Sequence, residues 1–192
     1  MDEMTSLPRP PVGRFNWLKE IIGTLIFLVA VFTLLQLALP RSVVHGSSME
    51  PNFEEGQRLV ISRINYMIGD PQRGDIVVFN SPASDPGEPS LIKRVIGLPG
   101  ETVEIRDTQV YIDGVLLDEP YIKEPCRPSS CRDQIHHLGE NEYFLMGDNR
   151  NVSNDSRSFG PVTHDRIIGE VLFRYWPLNQ IGFMHRFAFT GD

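Results

Sequence analysis

Lysine is scarce in this chain. Lys19, Lys93 and Lys123 stand against fifteen arginines in 192 residues. A reaction that needs a neutral amine has few places to find one, because arginine stays charged at any accessible pH. Basic charge is also short overall. With a net charge of -7 there is no basic surface for phosphates, which excludes nucleic acid as a partner. No repeat of about 20–50 residues recurs, so a solenoid is excluded. Neither a G-x-S-x-G elbow nor an H-E-x-x-H helix is present, which removes the familiar hydrolase and zinc-protease signatures. Beyond one stretch near the amino terminus, no long segment carries the 3.6-residue apolar period of a surface helix.

What is present describes a folded protein. The chain is 41% hydrophobic and 22% charged, ordinary values that argue against disorder, with room for one medium domain. The run Ile21 to Leu39, "IIGTLIFLVAVFTLLQLAL", holds no charge. As a helix it reaches about 28 Å, close to the thickness of a bilayer's hydrocarbon core. Trp17 and Lys19 before it suit an interface, and Pro40-Arg41 after it suit a helix stop. A cleaved signal peptide is the rival reading. It calls for a shorter apolar region and a small-x-small site, whereas "LALPRS" offers a proline and an arginine there. Arg9, Arg14 and Lys19 outweigh Arg41 and Arg58, so the positive-inside rule puts the amino terminus in the cytoplasm.

After Pro51 the chain turns to short runs of Val, Ile, Phe and Tyr: "GQRLVISRI", "GDIVVFN", "SLIKRVIGL", "ETVEIRD", "TQVYIDGVLL", "NEYFLMGD" and "RIIGEVLFRYWP". Gly, Pro, Asp and Asn punctuate them, as strands and turns require. The expected fold is a single transmembrane helix followed by a mostly β, antiparallel domain. The aromatic tail "IGFMHRFAF" is expected to pack on that core, with the bilayer surface as its alternative. Cys126 and Cys131, in "EPCRPSSCRD", suit a small disulfide in an oxidising compartment. A zinc site with His136 and His137, placed in a loop beside them, and free thiols are the other readings.

"HGSSMEPNF", residues 45–53, is an odd junction between membrane and domain. Its serines are poor nucleophiles at pH 7 unless a base takes the proton. His45, His136, His137, His164 and His185 carry no surrounding motif and read as structural or solvated. Among the lysines, Lys19 flanks the membrane on the wrong side, Lys123 lies in the proline-rich loop, and Lys93 sits within an apolar strand. By the period of two, Lys93 shares a face with Leu91 and Val95, and Arg94 with Ile92 and Ile96. Both faces are apolar, so the pattern does not say which points inward. A desolvated lysine can lose its proton where an arginine cannot. A lysine reaching out from a strand edge is the plain alternative.

Four boxes, "GSSMEPNF", "RGDIVVF", "IKRVIGLPGE" and "MGDNRNVSNDSRSFGPV", follow the apolar run in that order. Together they resemble bacterial-type signal peptidase I, the membrane-anchored serine endopeptidase that removes signal peptides from exported proteins. The likeness runs from the span to about Trp176 and is nearest the shorter single-span members. It implies a β-rich domain using a Ser-Lys dyad, without metal or cofactor. Ser48 falls at the nucleophile and Lys93 at its base. Ser153 falls at the serine that orients the lysine amine, and Asp155 and Arg157 at the bracing pair. Asp148 and Asn149 read as structural. The Ser48 backbone N–H falls at the oxyanion hole, and Gly46 stands where some larger members carry a second donor, a serine hydroxyl. Val152 stands where a polar residue is common.

The resemblance divides the chain into a cytoplasmic segment (1–20), a transmembrane helix (21–39) and an extracytoplasmic catalytic domain (40–192). Its implied partners are the bilayer and preprotein signal peptides delivered by the secretion machinery, bound as an added strand and cleaved at small-x-small sites. The implied place is a cell inner membrane or a thylakoid membrane. Ser48 lies nine residues past Leu39, a tether of about 30 Å when extended, so it stays near the surface where a cleavage site emerges. Two other readings are weighed: a specialised maturation peptidase with the same dyad, and a non-enzymatic β module that binds an envelope partner. Two N-x-S sequons, at Asn151 and Asn154, are read as coincidental in a prokaryotic chain.

Overall fold

The computed structural model describes residues 17–85, 87–184 and 187. Contacts divide the chain into one unit ending at Leu37 and another beginning at Ala38. The first contains nearly all of α1 (Trp17–Ala38), whose 22 residues extend about 33 Å, long enough to cross a bilayer. None of its residues is buried within the protein. Thr24 and Thr33 donate their hydroxyls to the carbonyls of Glu20 and Val29, so neither presents an unpaired polar group. The helix begins four residues before the expected span and ends one residue short of it. Leu39 precedes Pro40, and the proline ring disfavours helical backbone at the residue before it.

The second unit is β-structure with only short helical turns. Its strands are β1 (Arg41–Val43), β2 (Arg58–Ser62), β3 (Ile76–Phe79), β4 (Leu91–Gly97), β5 (Thr102–Arg106), β6 (Gln109–Ile112), β7 (Val115–Leu116), β8 (Gln134–His137), β9 (Glu142–Met146), β10 (Val162–Thr163), β11 (Ile167–Trp176) and β12 (Gly182–Phe183). The turns α2 (Asn65–Ile68) and α3 (Ser156–Phe159) interrupt them. One sheet runs β1-β2-β11-β3-β4-β9-β10 with β12 on β11, and a smaller one runs β7-β6-β5-β8. Every described pairing is antiparallel. The register of β11 slips against β2 and against β3. Such bulges bend a strand and let it serve two neighbours.

Local chemistry explains the turns. Asp107 and Thr108 both take positive φ (49° and 67°), as a two-residue hairpin between β5 and β6 requires. Three apolar clusters fill the interior, centred on Ile96 and Tyr121, on Met49 and Phe53, and on Val77 and Leu145. The described part of the tail packs on the core only in part: Met184 and Phe187 lie against two of these clusters, while Ile181 and Phe183 are exposed. His185 lies outside the described residues.

Two sequence readings need revision or resolution. His136 and His137 are not in a loop but on β8, opposite Val103 and Thr102 of β5. Their half-exposed edge strand lacks the apolar alternation by which strands are recognised. His136 stacks on Phe144 at 4.8 Å between centroids, and burial lowers its pKa. Cys126 and Cys131 are joined to each other, which resolves the three alternatives in favour of the disulfide.

Candidate active site

The site begins on β4, where every residue from Ile92 to Gly97 is buried. Three different clusters claim its apolar members: Ile92, Val95 and Ile96 each belong to another. Both faces are thus covered, and both basic residues are forced inside. Arg94, 1% exposed, meets Asp148 with Nε 2.8 Å from Oδ1 and Nη2 2.6 Å from Oδ2. It also donates to the Gly74 carbonyl and lies 4.3 Å over the Tyr121 ring. Lys93, 3% exposed, has no carboxylate in contact among the described residues. Its Nζ lies 2.8 Å from Ser48 Oγ and donates to the Ile92 carbonyl at 2.9 Å.

Ser48 is held by the residues around it. Met49 and Phe53 are buried in the cluster that contains Ile76 and Ile92. The Ser47 carbonyl accepts from Asn149 Nδ2 (3.1 Å) and the Ser48 carbonyl from the Asn149 backbone N–H (3.0 Å). Asn52 bonds Asp148, the partner of Arg94. Gly147 is required by close approach: a Cβ there would lie 2.3 Å from Ser153 Oγ and 2.5 Å from the Ser48 carbonyl. Gly46 takes φ +77°, a conformation that strains any side chain. Glycine at that position therefore has a backbone reason.

Behind the lysine stands a second cluster. Asp155 is fully buried and caps α3 by accepting from the Arg157 N–H. The Arg157 fork closes on it at 2.8 and 2.7 Å. The Gly147 N–H (2.9 Å) and the Ser153 hydroxyl (2.6 Å) complete its shell. Burial alone would raise the Asp155 pKa, but these bonds outweigh it and hold the carboxyl below its ordinary value. Arg157 also reaches the Arg150 and Ser130 carbonyls and the Cys131 sulfur. The disulfide loop is therefore tied to the same brace.

Burial lowers the Lys93 pKa to about 8, opposed by the charges of Asp155 and Asp148 and assisted by that of Arg157. An amine near pH 8 is half neutral, and the Ile92 carbonyl fixes the direction of its N–H bonds. Its remaining direction faces Ser48 Oγ. Beside the pair lies a small cavity of about 100 Å³ bordered by Met49, Pro89, Leu91 and Ile92.

The signal peptidase family (peptidase S26) matches the chain over residues 14–176. The chain belongs to this family. Among relatives of this signal peptidase, a probable signal peptidase I-1 of Synechocystis sp. is 39% identical over 97% of this chain and 96% of its own. A signal peptidase IB of Staphylococcus aureus is 31% identical over 88% and 94% respectively. A solved signal peptidase I of Enterococcus faecalis is 38% identical, aligning over 54% of this chain and 98% of its own at a TM-score of 0.47. Membership makes the chain a serine peptidase, and α1 fits the membrane anchor of such an enzyme.

Within this signal peptidase the candidate residues fall into two groups. Ser48 and Lys93 touch each other, and Ser153, Asp155 and Arg157 form the brace. Ser153 differs from expectation: among the described residues it bonds Asp155 and not the Lys93 amine. Asp155 is fully buried and offers a short charge-assisted bond, so the hydroxyl turns to it. Sequence reasoning did not single out Gly147 and Asn52, although both lie inside the recognised boxes.

Proposed function

We propose that this chain cleaves signal peptides from exported preproteins, with Ser48 as nucleophile and Lys93 as its base. The observation that carries this reading is the 2.8 Å contact between Lys93 Nζ and Ser48 Oγ, buried and with no carboxylate in contact among the described residues. Neutral Lys93 takes the Ser48 proton as Oγ attacks the carbonyl carbon before the scissile bond. The Ser48 N–H, which donates to no acceptor among the described residues, is available to the oxyanion. Lys93 then returns the proton to the leaving amine. Water enters and gives a proton to Lys93 as its oxygen attacks the acyl carbon, and Lys93 returns that proton to Ser48 Oγ as the bond to the acyl group breaks.

Among the described residues the outer edge of β1 and the edge of β4 before Arg94 have no strand partner, and both border cavities near Ser48. An extended substrate can add as a strand there, and the small cavity favours a small residue at the cut. The arginines and lysine before α1 favour an amino terminus in the cytoplasm, with the domain and the exported substrate on the far side. Tethering both to one membrane raises their effective concentration.

The test uses the full chain in detergent with a preprotein bearing an Ala-x-Ala site. Wild type is expected to cleave it, and Ser48→Ala and Lys93→Ala to lose cleavage while still folded, as a cooperative melting transition shows. Undiminished cleavage by Lys93→Ala sinks the base assignment. No cleavage of any preprotein by the wild type sinks the whole reading.

A further inference from the structure

Next to the Ser48 cavity, and sharing His45, Val43 and Pro89 with it, lies a larger one of about 380 Å³. Among the described residues its wall carries three basic side chains, Arg41, His45 and Arg63, and no acidic one. Among the described residues neither Arg41 nor Arg63 forms an ion pair or a side-chain hydrogen bond. Their surroundings differ from those of the buried arginines, since Arg73, Arg94, Arg150 and Arg157 are each closed on a carboxylate. In a chain of net charge -7, two guanidinium groups without a carboxylate among the described residues, in a cavity that adjoins the one at Ser48, are a local reversal of sign.

We propose that Arg41 and Arg63, with His45 beside them, form a subsite for a carboxylate side chain of the preprotein, upstream of the scissile bond. This rests on the signal-peptide reading above. The direction follows from connectivity: the Arg63 N–H donates to the carbonyl of Ala38, where α1 ends. In a signal peptide the apolar segment precedes the cleavage site. The residues between the two therefore pass the Arg41 end of β1 before reaching Ser48. A strand advances about 3.3 Å per residue. Arg41 precedes His45 by four residues, which places the carboxylate roughly four to six residues before the cut, upstream of the small-x-small site itself. Two arginines in a half-open groove are weakly hydrated donors suited to a carboxylate, and the attraction is screened by salt.

The experiment compares peptides with one Ala-x-Ala site that carry Asp, Asn or Lys at each of those upstream positions. The Asn peptide reports whether the enzyme cleaves at all, so failure of the underlying reading shows as no turnover in the whole series. Wild type is expected to favour Asp over Lys in kcat/KM by about three- to tenfold at low salt, mostly through KM. The preference is expected to shrink in high salt, to persist in R41K/R63K and to reverse in R41E/R63E. Because the reading is a ratio within each variant, a general loss of activity does not disturb it. Equal turnover of Asp and Lys peptides by wild type, or an unchanged ratio in R41E/R63E, overturns the proposal.

Discussion

Lys93 and Arg94 adjoin on one strand and are nearly equally buried, yet the fold surrounds them in opposite ways. Arg94 is closed on Asp148 by two bonds, capped by a backbone carbonyl and covered by the Tyr121 ring. Among the described residues Lys93 bonds a hydroxyl and a carbonyl and no carboxylate. The carboxylate behind it, Asp155, is held by the Arg157 fork, so its charge reaches the lysine only in part. A buried cation with a carboxylate in contact stays charged and holds structure. One without it is left to shed its proton near neutrality. Residue type matches: arginine stands where charge must persist and lysine where it must be lost.

The largest effect is expected from erasing the difference. Lys93→Arg leaves a cation in place but removes any group able to accept the Ser48 proton. Cleavage of an Ala-x-Ala preprotein is expected to fall by about a thousandfold or more. An arginine variant that keeps a tenth of wild-type kcat/KM would end the contrast drawn between the two positions.

Breaking the Arg94 side acts on stability instead. Asp148→Asn keeps the shape but leaves Arg94 buried without its counter-charge, at an expected cost of about 3–5 kcal/mol in urea unfolding. The loss should be larger than that for a pair at the surface, such as Lys123 with Glu50, where about 1 kcal/mol or less is expected. Equal losses at the two places would mean that Asp148 does not hold Arg94 as the geometry implies.

Much of this contrast was legible in sequence, and the rest was not for physical reasons. The alternation around Lys93 showed two apolar faces, and the inability of arginine to titrate ranked the two cations. Neither showed that Arg94 would find Asp148, because that pair joins residues 54 apart in the chain. The seven apolar runs each became strands. Edge strand β8 escaped because its polar alternation resembles a loop. Ser153 was read by resemblance as a partner of the lysine, but its bond to Asp155 depends on how Arg157 and Gly147 arrange the carboxylate. Gly147 was invisible as a constraint until Ser48 and Ser153 were seen to meet at its Cα.

The Lys93 side can also be tested through stability. Its pKa falls from an ordinary 10.5 to about 8 on folding, so between those values the unfolded chain binds more protons than the folded one. Stability of the wild type therefore rises with pH across that window, and below pH 8 the full penalty for burying the charge is present. Lys93→Met removes the charge while keeping the length. It is expected to stabilise the domain by about 3 kcal/mol at pH 6, with the gain shrinking between pH 8 and 10.5. Equal stability of the two proteins at pH 6 would mean that the lysine is not desolvated.

The smallest effect sharpens how Asp155 speaks to Lys93. Wild-type kcat/KM is expected to rise with pH with a midpoint about 8, since only the neutral amine accepts the Ser48 proton. Asp155 holds that midpoint up, because its negative charge favours protonated lysine. Asp155→Asn keeps an acceptor for the Gly147 N–H but removes the charge, and it also leaves Arg157 unneutralised. Both changes disfavour the protonated amine. The midpoint should therefore move to lower pH, by up to about one unit or ~1.4 kcal/mol, even where the plateau rate falls. A midpoint that stays put or moves upward would show that Asp155 matters to Ser48 only by holding the backbone of Gly147, with no electrostatic hold on the base.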